Sequence, residues 1–404
     1  QPQIDIQTPS AAGVSRNAYR RFDVQSNGAI LNNSRSNTTT QLGGLVAANP
    51  WLATGEARVI LNEVHSSHPS HLNGYVEVAG RRAEVIIANP AGIQVNGGGF
   101  INASGVTLTT GTPVMNSGHL DAFRVQGGSV NIEGLGLDTS TADHTAILTR
   151  AMQVNAGVWA KDLTVVTGSN EIQALASGAS ALSTPIAGSG AAPTFMLDVG
   201  ALGGMYAGKI HLVGTEAGLG VNNRGSLIAH EGTWVLKTDG SLVNTGEVHA
   251  KGDLSIQTAG SVSNTGVNAS ISSQAHTTLS AGGEVDNTDG EIASAGMLSI
   301  ATQGPLTNLR GRLLAVGDST IDTQGARLDN TAGRINAQAT LTLNTGELLN
   351  GAQDAQAGLI GSNGDLSIHA GVATNGADGA TQSNIWSAQT ARLSTQSFTN
   401  AGVL

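Results

Sequence analysis

Leu254-Ser255-Ile256-Gln257-Thr258-Ala259-Gly260-Ser261-Val262-Ser263-Asn264-Thr265-Gly266 is most of one repeat, and its reading decides the fold. Leu254 and Ile256 alternate with Ser255 and Gln257, the period-two signature of a strand with one face inward. An Asn-centred turn closes the segment. The same turn returns at Asn244, Asn264, Asn287, Asn308, Asn330 and Asn350, at spacings of 20, 23, 21, 22 and 20 residues. The aliphatic pairs return with it, as Leu298/Ile300, Leu341/Leu343 and Leu366/Ile368. A period of about 21 residues marks a linear array rather than a single globular core. Three short strands and three small turns fill one period. The expected fold is therefore all-β, a right-handed parallel β-helix, with the asparagines stacked as an amide ladder.

Composition agrees with a narrow solenoid. The 404 residues include 55 glycines, and only 3% are aromatic and 12% charged, numbers that also occur in disordered chains. The 39% hydrophobic content and its ordered alternation argue for folding instead. A net charge of −10 argues against nucleic acid as a partner, because phosphate binding needs a basic face. There is no cysteine, so disulfides and zinc–thiolate sites are excluded, and a chain without cross-links can thread a pore. No apolar run is long enough for a membrane-spanning helix, and nothing at the start reads as a signal peptide. Gln1 reads either as a mature terminus or as an internal cut.

Three regions are expected along the chain. Residues 1–25, with Pro2 and Pro9, read as an irregular N-terminal cap over the open strand edges of the first coil. Residues 26–225 carry dense strand signals, such as Val59-Ile60-Leu61, Tyr75-Val76-Glu77-Val78 and Val106-Thr107-Leu108-Thr109, with irregular insertions. Within them, 112–150 is expected to include an extra-helical antiparallel excursion, and the Ala/Gly/Ser-rich 174–193 reads as a long mobile loop. Residues 226–404 read as regular coils with no capping element, so the chain reads as a fragment of a longer one.

Several blocks carry a family resemblance. Gly13-Val14-Ser15-Arg16-Asn17, Gly43-Gly44-Leu45, Ala48-Asn49-Pro50-Trp51-Leu52, Ile60-Leu61-Asn62-Glu63-Val64, Gly74-Tyr75-Val76-Glu77-Val78-Ala79-Gly80 and Ala88-Asn89-Pro90-Ala91-Gly92-Ile93 are among them. Val95-Asn96-Gly97-Gly98-Gly99-Phe100-Ile101-Asn102 and Gly203-Gly204-Met205-Tyr206-Ala207 continue the match. The region resembles the secretion (TPS) domain of two-partner secretion exoproteins, the family of filamentous haemagglutinin and of the contact-dependent growth-inhibition proteins called CdiA. The coils beyond resemble haemagglutinin-type repeats. The resemblance implies export through an outer-membrane β-barrel transporter of the TpsB/CdiB kind, recognised through its periplasmic POTRA domains, with folding outside a Gram-negative cell. Any toxin or receptor-binding activity would lie outside these 404 residues.

Two family motifs associated with secretion read here as Asn49-Pro50-Trp51-Leu52 and Asn89-Pro90-Ala91-Gly92-Ile93, each departing from the family's Asn at its third residue. The physics of Asn-Pro predicts a turn: Pro fixes φ, Asn bonds nearby backbone, and Gly92 supplies a permissive φ. That role survives the substitutions; a role needing the second Asn amide would not.

No cofactor is expected. His65, His68 and His71, three apart, are the best metal candidates, but Pro69 opposes a helix through them and no carboxylate cluster joins the set, so a polar loop is the better reading. The rival class is enzymatic, a β-helical polysaccharide lyase or glycosidase, or a carbohydrate-binding adhesin. Such an enzyme gathers carboxylates on one face. Glu63, Glu77 and Glu84 could approach one another across coils, but are expected to face solvent.

Overall fold

Every regular repeat turns its aliphatic residues inward, and consecutive repeats place them in columns. A computed structural model describes residues 1–174, 182–376 and 382–404, and no helix occurs among them. The chain forms two compact units, residues 1–219 and 220–404.

In the second unit, Trp234–Thr238, Leu242–Asn244 and Glu247–Ala250 make one coil. Each strand lies parallel on its counterpart in the next coil, Leu254–Thr258, Val262–Asn264 and Ser270–Ser273. The register is constant, so Ile256, Leu279, Ile300, Ile321, Leu343 and Ile368 stand directly over one another, all buried. A second column runs through Val262, Val285, Leu306 and Leu328, and a third through Ile271, Ile292, Leu313 and Ile335. Each buried aliphatic side chain contributes about 1.5–3 kcal/mol. Shifting one strand by a single residue would turn its column to solvent, so register is strongly specified. The fold is thus a parallel β-solenoid, as the alternation implied.

The first unit winds the same way with more decoration. Val14–Tyr19 pairs with Val59–Val64, which pairs with Ala83–Ala88, which pairs with Ala103–Thr109 and then His144–Thr149, all parallel. Residues 1–25, expected to be irregular, contain two ladder strands: Gln3–Asp5 lies parallel on Ala29–Asn33, and Val14–Tyr19 is the other.

Among the described residues, antiparallel strands leave the β-helix at three places. Thr112–Asn116, His119–Val125, Asn170–Gln173 and Ser183–Pro185 form one antiparallel sheet. The excursion expected within 112–150 is therefore confined to 112–125; Ser129–Ile132, Leu137–Asp138 and His144–Thr149 are parallel rungs. Of the stretch read as a mobile loop, 175–181 lies outside the described residues, whereas Ser183–Pro185 is a paired strand. Phe123, Val125 and Ile172 of this sheet pack on Leu61, Ile86, Ala88, Leu148 and Val166. Strands so covered are buried on both faces, which is why Val59-Ile60-Leu61 and Val85-Ile86-Ile87 are continuous apolar runs rather than alternations. Small hairpins, Thr38–Thr40 with Gly44–Val46 and Ala352–Gln353 with Gln356–Ala357, complete the decoration.

Candidate functional site: two buried Asn-Pro turns

Asn49 and Asn89 occupy the same kind of turn on different rungs. Asn49 is buried; its Nδ2 donates to the carbonyls of Ile6 at 3.0 Å and Asn32 at 2.9 Å. Its Oδ1 accepts the Trp51 amide N–H at 2.9 Å, and the Leu52 N–H reaches back to the Asn49 carbonyl. Asn89, also fully buried, donates to the His68 carbonyl at 2.9 Å and to Ser70 Oγ at 3.0 Å. Its Oδ1 accepts the Ala91 N–H at 3.0 Å, and the Gly92 N–H reaches the Asn89 carbonyl at 3.0 Å. Both are β-turns with Pro at the second position, where its fixed φ is favourable, and with the Asn oxygen bonding the backbone two residues on.

The prolines ride outside. Pro50 and Pro90 are exposed, while Leu52 and Ile93 anchor the far end of each turn in the core. Gly92 has φ +118°, and a Cβ there would press on the Ser129 carbonyl, so this corner needs glycine. The third residues point away from the core: Trp51 is 55% exposed and Ala91 half-buried. The Trp51 carbonyl accepts a bond from Thr8 Oγ1 at 2.8 Å, which holds its backbone while the indole projects. The substitutions that separate this chain from the family motif thus alter surface and leave the turn intact.

In the second unit the six asparagines of the repeat meet. Asn244 Nδ2 donates to Asn264 Oδ1 at 2.8 Å, Asn264 to Asn287 at 2.7 Å, Asn287 to Asn308 at 2.8 Å, Asn308 to Asn330 at 2.7 Å and Asn330 to Asn350 at 2.8 Å. Asn223, 21 residues before Asn244, and Asn375 and Asn400, each 25 residues on from the last, extend the line, and the sequence reading missed all three. A glycine one or two residues later, as in Asn223-Arg224-Gly225, Asn375-Gly376 and Asn400-Ala401-Gly402, was the signal that could have found them.

The histidines do not converge. His65 faces Glu63 at 3.6 Å, His71 faces Asp23 at 3.4 Å, and the His68 backbone bonds Ser66 Oγ. Among the described residues no three His, Cys, Asp or Glu side chains gather as a metal-binding group.

The three glutamates correct the expectation of solvent-facing carboxylates. Glu63 is 3% exposed and paired to Arg16 at 2.8 Å. Glu77 is 4% exposed and accepts the backbone N–H groups of Gln41 and Leu42, both at 2.7 Å, which pins the turn between Thr38–Thr40 and Gly44–Val46. Glu84 lies 3.8 Å from His144 Nε2. A buried carboxylate requires such partners, and each has found its own, so the three share no cleft.

By family comparison, this parallel solenoid with its two buried Asn-Pro turns is a secretion domain of the two-partner class. Residues 1–255 match the family described as TPS secretion domain, and the chain belongs to that family. Its members are secretion regions of exported Gram-negative surface proteins that work with an outer-membrane transporter. "Toxin CdiA" of Yersinia pestis is 52% identical over 266 residues, 66% of this chain and 8% of that protein. "tRNA nuclease CdiA-2" of Burkholderia pseudomallei (strain 1026b) is 37% identical over 386 residues, 85% of this chain and 12% of that protein. The solved filamentous hemagglutinin secretion domain aligns over 91% of this chain and 94% of its own at 24% identity, with a TM-score of 0.49. The chain spans about a tenth of the length of the curated relatives it matches.

Proposed function

We propose that this chain is the address tag and first filament segment of a much larger exported protein of the CdiA or haemagglutinin kind. The POTRA domains of a TpsB/CdiB-like outer-membrane transporter read residues 26–225 in the periplasm, by adding an extended strand to a sheet edge. The chain crosses the barrel unfolded and winds outside. Residues 1–25 act as the cap, a role supported by Gln3–Asp5 and Val14–Tyr19, which cover the edges of Ala29–Asn33 and Val59–Val64. Residues 226–404 begin the filament. Folding itself resists backsliding: at about 0.05–0.15 kcal/mol per residue, the chain supplies roughly 20–60 kcal/mol. The domain performs no turnover; toxin or receptor-binding activity belongs to the rest of the protein.

The observation that carries this reading is the shared bonding of Asn49 and Asn89. Both bury a carboxamide to present an exposed proline. The test is export of a reporter fused to residues 1–225 by cells carrying the partner transporter. Asn49→Ala and Asn89→Ala should each abolish export, whereas Trp51→Asn and Ala91→Asn should preserve it. Undiminished export of both alanine variants would remove the motifs from the mechanism.

A further inference from the structure

One face of the first unit carries a row of aromatic rings that the core does not need. In ladder register, Tyr75 pairs with Gly99, Gly99 with Asp138, Asp138 with Trp159, and Trp159 with Tyr206, so these residues occupy the same outward position on successive rungs. Tyr75 is 37% exposed and Trp159 42%. In a chain with 3% aromatic residues, such a concentration is a local feature.

Glycines seat the rings. A Cβ at Gly99 would collide with the Tyr75 ring, one at Gly157 with the Trp159 indole, and one at Gly204 with the Tyr206 ring. Tyr75 therefore lies along the face across Gly99 and reaches Asp138 Oδ2 with its hydroxyl at 3.0 Å. Trp159 stacks on Tyr206, centroids 6.3 Å apart and planes 20° from parallel. Between Tyr75 and Trp159 sits Asp138, whose other oxygen accepts the Ser140 N–H at 3.0 Å and the Ser140 hydroxyl at 2.6 Å. Burial pushes the Asp138 carboxyl up, but the bonds from Ser140 and Tyr75 outweigh it and hold the group below the usual carboxylate range.

Ring faces flanking a fixed, ionised carboxylate suit a ligand with apolar C–H faces and hydroxyl donors. We propose that the Tyr75–Asp138–Trp159–Tyr206 row binds a saccharide chain. Sugar C–H faces stack on Trp159 and Tyr75, and sugar hydroxyls donate to the remaining lone pairs of Asp138. A protein partner is the less favoured occupant, because the centres of protein interfaces are depleted of charge, and here the charge is central. This site is separate from the Asn-Pro turns and does not depend on the secretion reading.

The test uses the whole 404-residue chain on an array of immobilised oligosaccharides of O-antigen, lipopolysaccharide-core and capsular types, with cellohexaose and chitohexaose added. The retained glycan is then titrated in solution by indole fluorescence. The expected result is retention of at least one glycan class, with quenching or enhancement on titration. Trp159→Ala and Asp138→Asn should each weaken it at least tenfold, while Trp386→Phe in the other unit leaves it unchanged. Asp138→Asn keeps the size of the side chain and one of its two acceptor oxygens, and unchanged thermal unfolding of this variant separates lost binding from misfolding. Two results would overturn the proposal: no glycan bound in a Trp159-dependent way, or Trp159-dependent capture of the transporter's periplasmic domains without any glycan.

Discussion

Replacing Asn308 by Ala should cut the amide ladder at its middle, and the structure sets the size of the loss. Asn308 is fully buried. Its Nδ2 donates to Asn330 Oδ1 at 2.7 Å and to the Arg334 carbonyl at 3.3 Å, and its Oδ1 accepts from Asn287 at 2.8 Å. Alanine removes all three bonds, each worth about 1 kcal/mol net, and strands Asn330 Oδ1 in a buried position at a further cost of about 1–3 kcal/mol. The sum is about 4–6 kcal/mol, at the top of what single substitutions do. Because each coil touches only its neighbours, the loss should stay local. Amide hydrogen exchange followed by mass spectrometry is the right assay. The rungs holding Asn287, Asn308 and Asn330 should exchange roughly 1,000- to 20,000-fold faster, while the rung at Asn244 changes little. Thr307→Ala, one residue away and half-exposed, should stay within about 0.5 kcal/mol of the parent. A loss for Asn308→Ala below about 1 kcal/mol, or one spread evenly over the whole unit, would refute the argument that buried amide pairing holds the coils in register.

Arg150 lies nearly buried against Glu216 at 2.7 Å and also donates to the Ser189 carbonyl at 2.7 Å, so it ties a loop to the solenoid. Arg150→Met should cost about 3–5 kcal/mol in urea unfolding by leaving Glu216 unpaired, and adding Glu216→Gln should restore part of it. The Glu84 contact raises the His144 pKa against the opposing effect of burial. Stability from His144 is therefore complete below the free-imidazole value of about 6.5 and fades as pH rises through the higher folded value. His211 is shifted the other way, downward, by burial, so its contribution is present above about 6.5 and fades as pH falls. His144→Gln should abolish the alkaline-side decline in a melting-temperature profile and leave the acid-side decline; an unchanged profile would remove the pair from the pH response. Glu77→Gln should loosen the turn at Gln41 and Leu42, seen as faster exchange of those two amides, because the neutral amide can replace one of the two carboxylate acceptors but not both.

Much of the fold was legible because a solenoid is local. Leu254, Ile256 and their repeats advertise an inward face every second residue, and each Asn turn needs its neighbour about 21 residues away. The Asn-Pro turns were equally readable, since proline geometry and an asparagine oxygen act within four residues.

Tertiary structure decided the rest, for one physical reason: partners far apart in sequence leave no periodic trace. An antiparallel excursion was legible near Thr112–Asn116 and His119–Val125, but no local pattern announces that it pairs with Asn170–Gln173. Glu63 and Glu77 read as solvent-facing because a charge ordinarily is, yet Arg16 and the amides of Gln41 and Leu42 come from 35 or more residues away to bury them. The ladder passes through insertions that stretch its spacing to 25 residues between Asn350 and Asn375, and three-dimensional stacking, not count, selects its members. Periodicity and turn chemistry thus determine that the chain winds, while register across insertions determines what each coil meets.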